Sequence, residues 1–199
     1  MGKPQSDPRG GRERLITATV GLLSRQGYEA TAVKQITTEA AAPMGSFYFH
    51  FPGGKEELAL AALRQGAEGV DALLTETLAR ATAPEEGLAD CALALADVLT
   101  RSDWLDGCPV AATALESIGR SPVLRAAAAE AFERWIATLQ HHLVRAGVAD
   151  APARSLANAA LALLEGAEML ARVQGSAEPL HDAASALRVL ARTAIPSVR

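Results

Sequence analysis

Only eight of the 199 residues are Phe, Tyr or Trp. So small a set leaves the core to Ala, Leu and Val, which dominate an apolar content of 49 %. Cysteine is scarcer still, with Cys91 and Cys108 alone. A chain of this length needs no disulfide staple, and the two thiols read as free and buried. No apolar run reaches the roughly 18 residues that a membrane helix requires. The opening MGKPQSDPRGGRER has no apolar centre of the kind a signal peptide carries. The expectation is a cytoplasmic protein with no membrane partner. Strand-like alternation is missing, as is any repeat of fixed period. So are a Gly-rich phosphate loop, a G-x-S-x-G elbow and an H-E-x-x-H pair. His141 and His142 are adjacent, so on a helix they face different directions, and with the cysteines they form no ligand spacing. These absences predict no enzyme, no metal and no cofactor. An enzyme built on Glu165 and a histidine has only stray polar residues behind it.

The sequence is rich in helix punctuation. Periodicity predicts a first helix from about Arg12 to Gln26, closed by Gly27 with Tyr28 folding back on it. A second runs from Thr31, read as its N-cap, to about Ala40. Pro43 fixes the start of a third, and Pro52-Gly53-Gly54 ends it. A fourth runs from Lys55 to Arg80. Pro84 is read as opening a helix through Leu99, and Pro109 a short one to Ile118. Ser121-Pro122 starts a helix that ends at Gly147, Asp150 starts one that ends near Gly175, and Pro179 opens the last. Residues 1–8 read as disordered. The expected fold is all-α with about nine helices, divided into an N-terminal domain over 1–54 and a C-terminal domain over 55–199.

Charge is uneven along the chain. Residues 1–66 hold eight Lys/Arg against six Asp/Glu, while residues 67–199 hold eleven against seventeen. A basic N-terminal part on an acidic body is compatible with DNA binding, because phosphate contacts are local. The aromatics point the same way. Phe47, Tyr48, Phe49 and Phe51 crowd one short helix and its end. A helix that small cannot bury them all, so some must face outward. That arrangement suits the recognition helix of a helix-turn-helix, which enters the major groove.

Gly27-Tyr28, Thr31, Val33, Ile36, Ala40, Gly45-Ser46-Phe47-Tyr48-Phe49-His50-Phe51 and Lys55-Glu56-Glu57-Leu58 together resemble the TetR family of bacterial transcriptional regulators. The resemblance covers about residues 12–60. FPGGKEEL and Gly107-Cys108-Pro109-Val110-Ala111-Ala112 resemble the LmrA/YxaF-type branch. Two positions depart from the family pattern. Ala41 stands where the family usually has the turn glycine, so the turn must avoid a positive φ or strain an alanine. Met44 stands where a lysine is common, which removes one phosphate contact.

The resemblance implies a regulator that binds double-stranded operator DNA as a homodimer and is released by a small apolar or drug-like effector. It implies that Tyr48, His50 and Lys55 touch phosphates. Lys55 also stands at a helix N-terminus, where its charge opposes the macrodipole and a nearby phosphate would relieve the conflict. Ser46 at the helix start can reach a base edge or a phosphate, and Gly45 lets the backbone come close. Phe49 points away from Phe47 and Phe51, toward thymine methyls or simply toward solvent. Thr31 and Lys34 add backbone contacts, and Arg12 and Arg14 can reach neighbouring phosphates. Phe47 and Phe51, four apart, share the buried face.

In the C-terminal part, large side chains among many alanines suggest a cavity lined by Trp104, Cys108, Phe132, Trp135, Glu165 and Met169. Each aromatic reads equally well as ordinary core. Glu165 lacks the Arg four residues later that Glu116, Glu130 and Glu168 have. It can therefore orient a ligand or remain a solvated carboxylate. Two stripes share i, i+4, i+7 spacing: Leu156, Ala160 and Leu163 on the penultimate helix, and Leu180, Ala184, Leu187 and Ala191 on the last. They read either as internal core or as half of a four-helix bundle completed by a second copy. The alternative to a ligand-responsive repressor is a dimeric DNA-binding protein that senses no ligand.

Overall fold

A computed structural model describes residues 10–196. The expected disorder at residues 1–8 lies outside them. Among the described residues there are nine helices and no strand: α1 Gly11–Gln26, α2 Val33–Glu39, α3 Met44–His50, α4 Lys55–Arg80, α5 Gly87–Arg101, α6 Pro109–Ser117, α7 Pro122–Arg145, α8 Asp150–Gln174 and α9 Glu178–Ala194. They form two compact units. The first comprises the described residues up to Gly66 together with Pro109–Ala128, so α6 and the start of α7 belong with the helix-turn-helix. The second comprises Ala67–Cys108 and the residues from Ala129 onward.

In the first unit, α1 buries Leu15, Ile16, Leu22 and Leu23 on one face, and Gly27 closes it with φ 76°. The Gly27 N–H donates to the Leu23 carbonyl at 3.1 Å. Thr31 is not the N-cap of α2. That position falls to Ala32, without a side-chain bond. The Thr31 hydroxyl instead donates to the Gly27 carbonyl at 2.6 Å, so it secures the end of α1 rather than the start of α2. The residues between α2 and α3 make a tight turn in which Ala42 N–H donates to the Thr37 carbonyl at 2.9 Å. Ala41 takes φ 47° there, so the turn keeps its left-handed residue and strains an alanine. Leu15, Leu22, Leu23, Ile36, Phe47, Phe51 and Leu58 then make one core.

In the second unit, α9 packs on both α5 and α8. The stripe Leu180, Ala184, Leu187 and Ala191 is buried within this one chain, as is Ala160, while Leu156 and Leu163 are partly covered. The internal-core reading of that stripe therefore holds. The strongest apolar periodicity marks the most buried face of α9, and α5 and α8 occupy it. A second, weaker stripe faces outward: Ala159, Ala162, Met169 and Val173 on α8, Ala186 and Val189 on α9. Pro84 does not open α5. It sits in a turn whose next residues lead to Glu86, held by Arg188 at 2.6 Å and Arg192 at 3.2 Å, and α5 begins at Gly87.

Ala41→Gly removes the left-handed strain at a cost in chain entropy, and should stabilise the fold by about 1 kcal/mol in urea denaturation. Leu187→Glu places a charge in the core of one chain and should unfold the second unit. A soluble, fully folded Leu187→Glu protein would refute that burial.

Candidate nucleic-acid interface

The outward face of α3 follows from which phenylalanines it buries. Phe47 and Phe51 are fully enclosed, with ring centroids 6.3 Å apart. That fixes the rotation of the helix and leaves Tyr48 61 % and Phe49 81 % exposed. Tyr48 leans edge-on against Phe47 at 4.9 Å, so a packed ring sets the direction of its phenol. Gly45 and Met44 are exposed at the start of the helix, and Ser46 is partly covered. His50 is half-buried and lies in edge contact with Phe49 at 5.0 Å. It also lies close to α1, where a β-carbon on Gly11 would come within 3.2 Å of its Nε2.

Lys34 is exposed on α2. Lys55 is held down: its Nζ lies 4.1 Å above the Tyr28 ring and 3.4 Å from the Glu29 carbonyl. Burial lowers its pKa, opposed by the negative charges of Glu29 and Glu116. Arg14 donates from Nε to the Ala40 carbonyl at 3.2 Å and so anchors the turn, while Arg12 lies 5.3 Å over the Phe51 ring. Of the eight residues expected at DNA, Lys34, Gly45, Tyr48 and Phe49 are exposed, and Ser46, His50 and Lys55 are partly so. Thr31 is fully buried with its hydroxyl engaged and has no face to offer DNA.

Glu116 stands four residues before Arg120, the spacing of a helical surface pair, but α6 ends at Ser117. The Glu116 carboxylate instead accepts the backbone N–H of Tyr28 at 2.6 Å and of Glu29 at 3.1 Å, and Arg120 pairs with Glu29 at 3.0 Å. Gly27 is what lets α6 come so close, since a β-carbon there would meet Glu116 Oε1 at 2.6 Å. The Ser121 hydroxyl donates to Glu56, tying the start of α7 to α4. These pairings join residues far apart in sequence, and no local spacing announces them.

The residues expected around an effector are dispersed. Trp135 is fully buried, its indole N–H donates to the Ala67 carbonyl at 3.0 Å, and Phe132 packs edge-on against it at 5.5 Å. For Trp135 the ordinary-core reading holds, because its one polar atom is satisfied inside the protein. Met169 is exposed on α8. Trp104 takes φ 64° in the loop before α6, in the left-handed region. Cys108 and Glu165 do meet. The thiol of Cys108 hydrogen-bonds the Glu165 carboxylate, and its backbone N–H bonds Glu168. Burial lifts Glu165 from 4.5 to about 6. Burial and the neighbouring Glu165 charge lift Glu168 to about 8, and Arg172 opposes this only in part. Arg172 spends one nitrogen on the Leu105 carbonyl at 2.6 Å. Glu168 has Arg172 four residues on, the spacing of a surface pair, yet it is buried.

The second unit carries a cavity of about 750 Å³ that is open to solvent, lined by residues from Thr75 to Pro84 and from Arg134 to Ala146, most of them exposed. None of the six expected pocket residues is among them. Among the described residues no cluster of His, Cys, Asp and Glu could hold a metal, and no helix is long and apolar enough to cross a membrane.

A helix-turn-helix with an exposed aromatic face, joined to a second all-helical unit, is the arrangement of a DNA-binding regulator. Residues 15–62 match the model of bacterial regulatory proteins of the tetR family, and residues 84–186 match the C-terminal domain of LmrA/YxaF-like transcriptional regulators. The HTH-type transcriptional regulator LmrA of Bacillus subtilis is 31 % identical over 85 % of this chain and 90 % of its own length. The HTH-type transcriptional regulator Rv0196 of Mycobacterium tuberculosis is 32 % identical over 94 % of this chain and 97 % of its own. The crystal structure of a TetR transcriptional regulator from Chloroflexus aurantiacus superposes with a TM-score of 0.79 at 29 % identity, covering 93 % of this chain and 96 % of that one. The chain belongs to the TetR family, with an LmrA/YxaF-like C-terminal domain, and is a DNA-binding transcriptional regulator, not an enzyme.

Glu168 predicts an unusual pH dependence. Its folded pKa lies above the ordinary 4.5. The stability tied to its protonated form is therefore complete below about pH 4.5 and is lost as the pH rises through about 8. Glu168→Gln should raise Tm by several degrees at pH 8 and by little at pH 5. Equal shifts at both values would refute the burial of an ionisable group there.

Proposed function

We propose that the protein is a dimeric repressor that binds a two-fold symmetric operator and lets go when a small molecule enters its second unit. The observation that carries the DNA half is the orientation of α3, whose buried Phe47 and Phe51 turn Tyr48 and Phe49 outward. On this reading Tyr48 donates to a phosphate, Phe49 lies against thymine methyls, and Lys34 meets backbone phosphate from α2. Gly45 and Ser46 supply the close approach, and His50 and Lys55 sit at the rim. Lys55, leaning on Tyr28, would have to swing off the ring to reach a phosphate.

The second apolar stripe supports dimer formation. Met169, Val173 and Val189 are 61 %, 82 % and 64 % exposed, on two adjacent helices. An apolar surface of that kind on one monomer marks an interaction site. A second copy laid across it makes a four-helix bundle of α8 and α9 with an isologous interface. Two α3 helices then read half-sites about 34 Å apart. Ligand release is a two-state equilibrium in which the effector favours the form that DNA does not. The ligand-independent reading draws support from Trp135, which is packed as core, with the half-buried Phe132 edge-on against it. The cavity of about 750 Å³ in the second unit favours the ligand-responsive one.

Footprinting on the DNA flanking the protein's own gene tests the proposal as a whole: a palindromic footprint lost on adding a small molecule is expected. A footprint indifferent to every compound would leave only the ligand-independent reading. Two variants test the parts. Lys34→Ala should reduce the salt slope of binding by about 0.9, and Tyr48→Phe should weaken binding with the slope unchanged. A slope unaltered by Lys34→Ala would remove that contact. The pair Met169→Glu and Val189→Glu should yield a folded monomer on sizing; a surviving dimer would move the interface elsewhere.

A further inference from the structure

The cavity of the second unit has a one-sided chemistry. Its apolar surface comes from Leu78 and Ala79 of α4, Ala83 and Pro84 of the following turn, Ala137 of α7 and Ala146 just beyond it. Its charged side chains are two arginines, Arg134 and Arg145. With Thr138 and His141 between them they follow i, i+4, i+7, i+11 spacing, and residues eleven apart on an α-helix point almost the same way. The two guanidiniums therefore flank one face of α7. Among the described lining residues there is no Asp or Glu.

The neighbouring carboxylates do not cancel this charge. Asp71 accepts the Thr138 hydroxyl at 2.7 Å. Glu130 lies 3.7 Å from Arg134 in an exposed i, i+4 pair, of the kind that contributes little and is easily exchanged. Arg145 has no ion-pair partner among the described residues. The wall is held without an occupant, because His142 Nε2 lies 2.9 Å from the Pro84 carbonyl and ties the turn to α7. A volume of about 750 Å³ falls within the range of small-molecule pockets.

We infer that this cavity is the effector site and that it takes a small amphipathic anion: an apolar ring system or acyl chain bearing one carboxylate. The inference rests on the ligand-responsive reading above and names the ligand class. A guanidinium binds carboxylate through two parallel charge-assisted hydrogen bonds, and the alanine-rich floor accepts the apolar body. A lipophilic cation would meet two like charges and no carboxylate. None of the lining residues belongs to α8 or α9, so an occupant leaves the proposed pairing face untouched.

The test uses the full-length protein with 2-naphthoate, decanoate and the neutral 2-naphthamide in titration calorimetry, and follows operator binding by fluorescence anisotropy. The two acids should bind, with naphthoate at least tenfold tighter than the amide. The double variant Arg134→Gln, Arg145→Gln should lose at least tenfold for naphthoate and leave the amide unchanged. Ala137→Trp fills the floor and should abolish binding of all three. Melting curves establish that each variant is folded, and its operator binding without ligand should match the parent. Equal affinity for acid and amide, binding that survives Ala137→Trp, or no binding of either acid would overturn the assignment. Naphthoate bound with the operator retained would keep the anion site and overturn its role as effector site. Release by another compound, undiminished in Ala137→Trp, would keep the ligand-responsive reading and overturn this site.

Discussion

The DNA-facing surface depends on the burial of two phenylalanines one helical turn apart. Phe47 and Phe51 lock into the core that α1, α2 and the start of α4 build. Once they are in place, α3 has no rotational freedom left, and the two aromatics between them have nowhere to go but out. The exposure of Tyr48 and Phe49 is thus a consequence of packing. The same core fixes the turn before α3 through Arg14, whose guanidinium holds the Ala40 carbonyl. A helix of seven residues cannot stand alone, so its aim is set entirely by what it is packed against.

The pattern in the sequence carried most of this because helix periodicity and capping are local. The bounds of α4 and the rotation of α3 follow from residues within one or two turns of each other. Long-range polar pairings were not legible. Glu116 has an arginine four residues on, which is a good surface pair by spacing. Three-dimensional proximity gives it two backbone N–H groups instead, and those partners lie in the connection between α1 and α2. Thr31 shows the same limit at short range, since a hydroxyl near a helix start can serve the helix behind it as readily as the one ahead. Size and rarity single out Trp104, Phe132, Trp135 and Met169 in the sequence, and rarity marks core as often as cavity. Trp135 is the clear instance. The cavity is lined by alanines, threonines and arginines that carry no such signal.

Helices α8 and α9 carry two apolar stripes, and only the regular one is legible as a pattern. On the dimeric reading, each helix packs within its own chain on one side and meets a second copy on the other, and so needs two apolar faces. The internal face is the more regular, because it must match α5 and its partner helix at every turn. The external face tolerates alanine, methionine and valine in looser order. Periodicity strength therefore ranks faces by how much of the chain's own structure they contact. It does not rank them by which face is left for a partner.

The pairing of Glu165 and Glu168 against Cys108 has a consequence for the folding reaction itself. With a folded pKa of about 8 against an ordinary 4.5, Glu168 holds its proton near neutral pH in the native state and releases it in the unfolded chain. Folding at neutral pH therefore takes up close to one proton from solution at this site. The heat measured on melting will then contain the protonation enthalpy of whatever buffer accepts that proton. The apparent enthalpy of unfolding becomes a property of the chain and its buffer together.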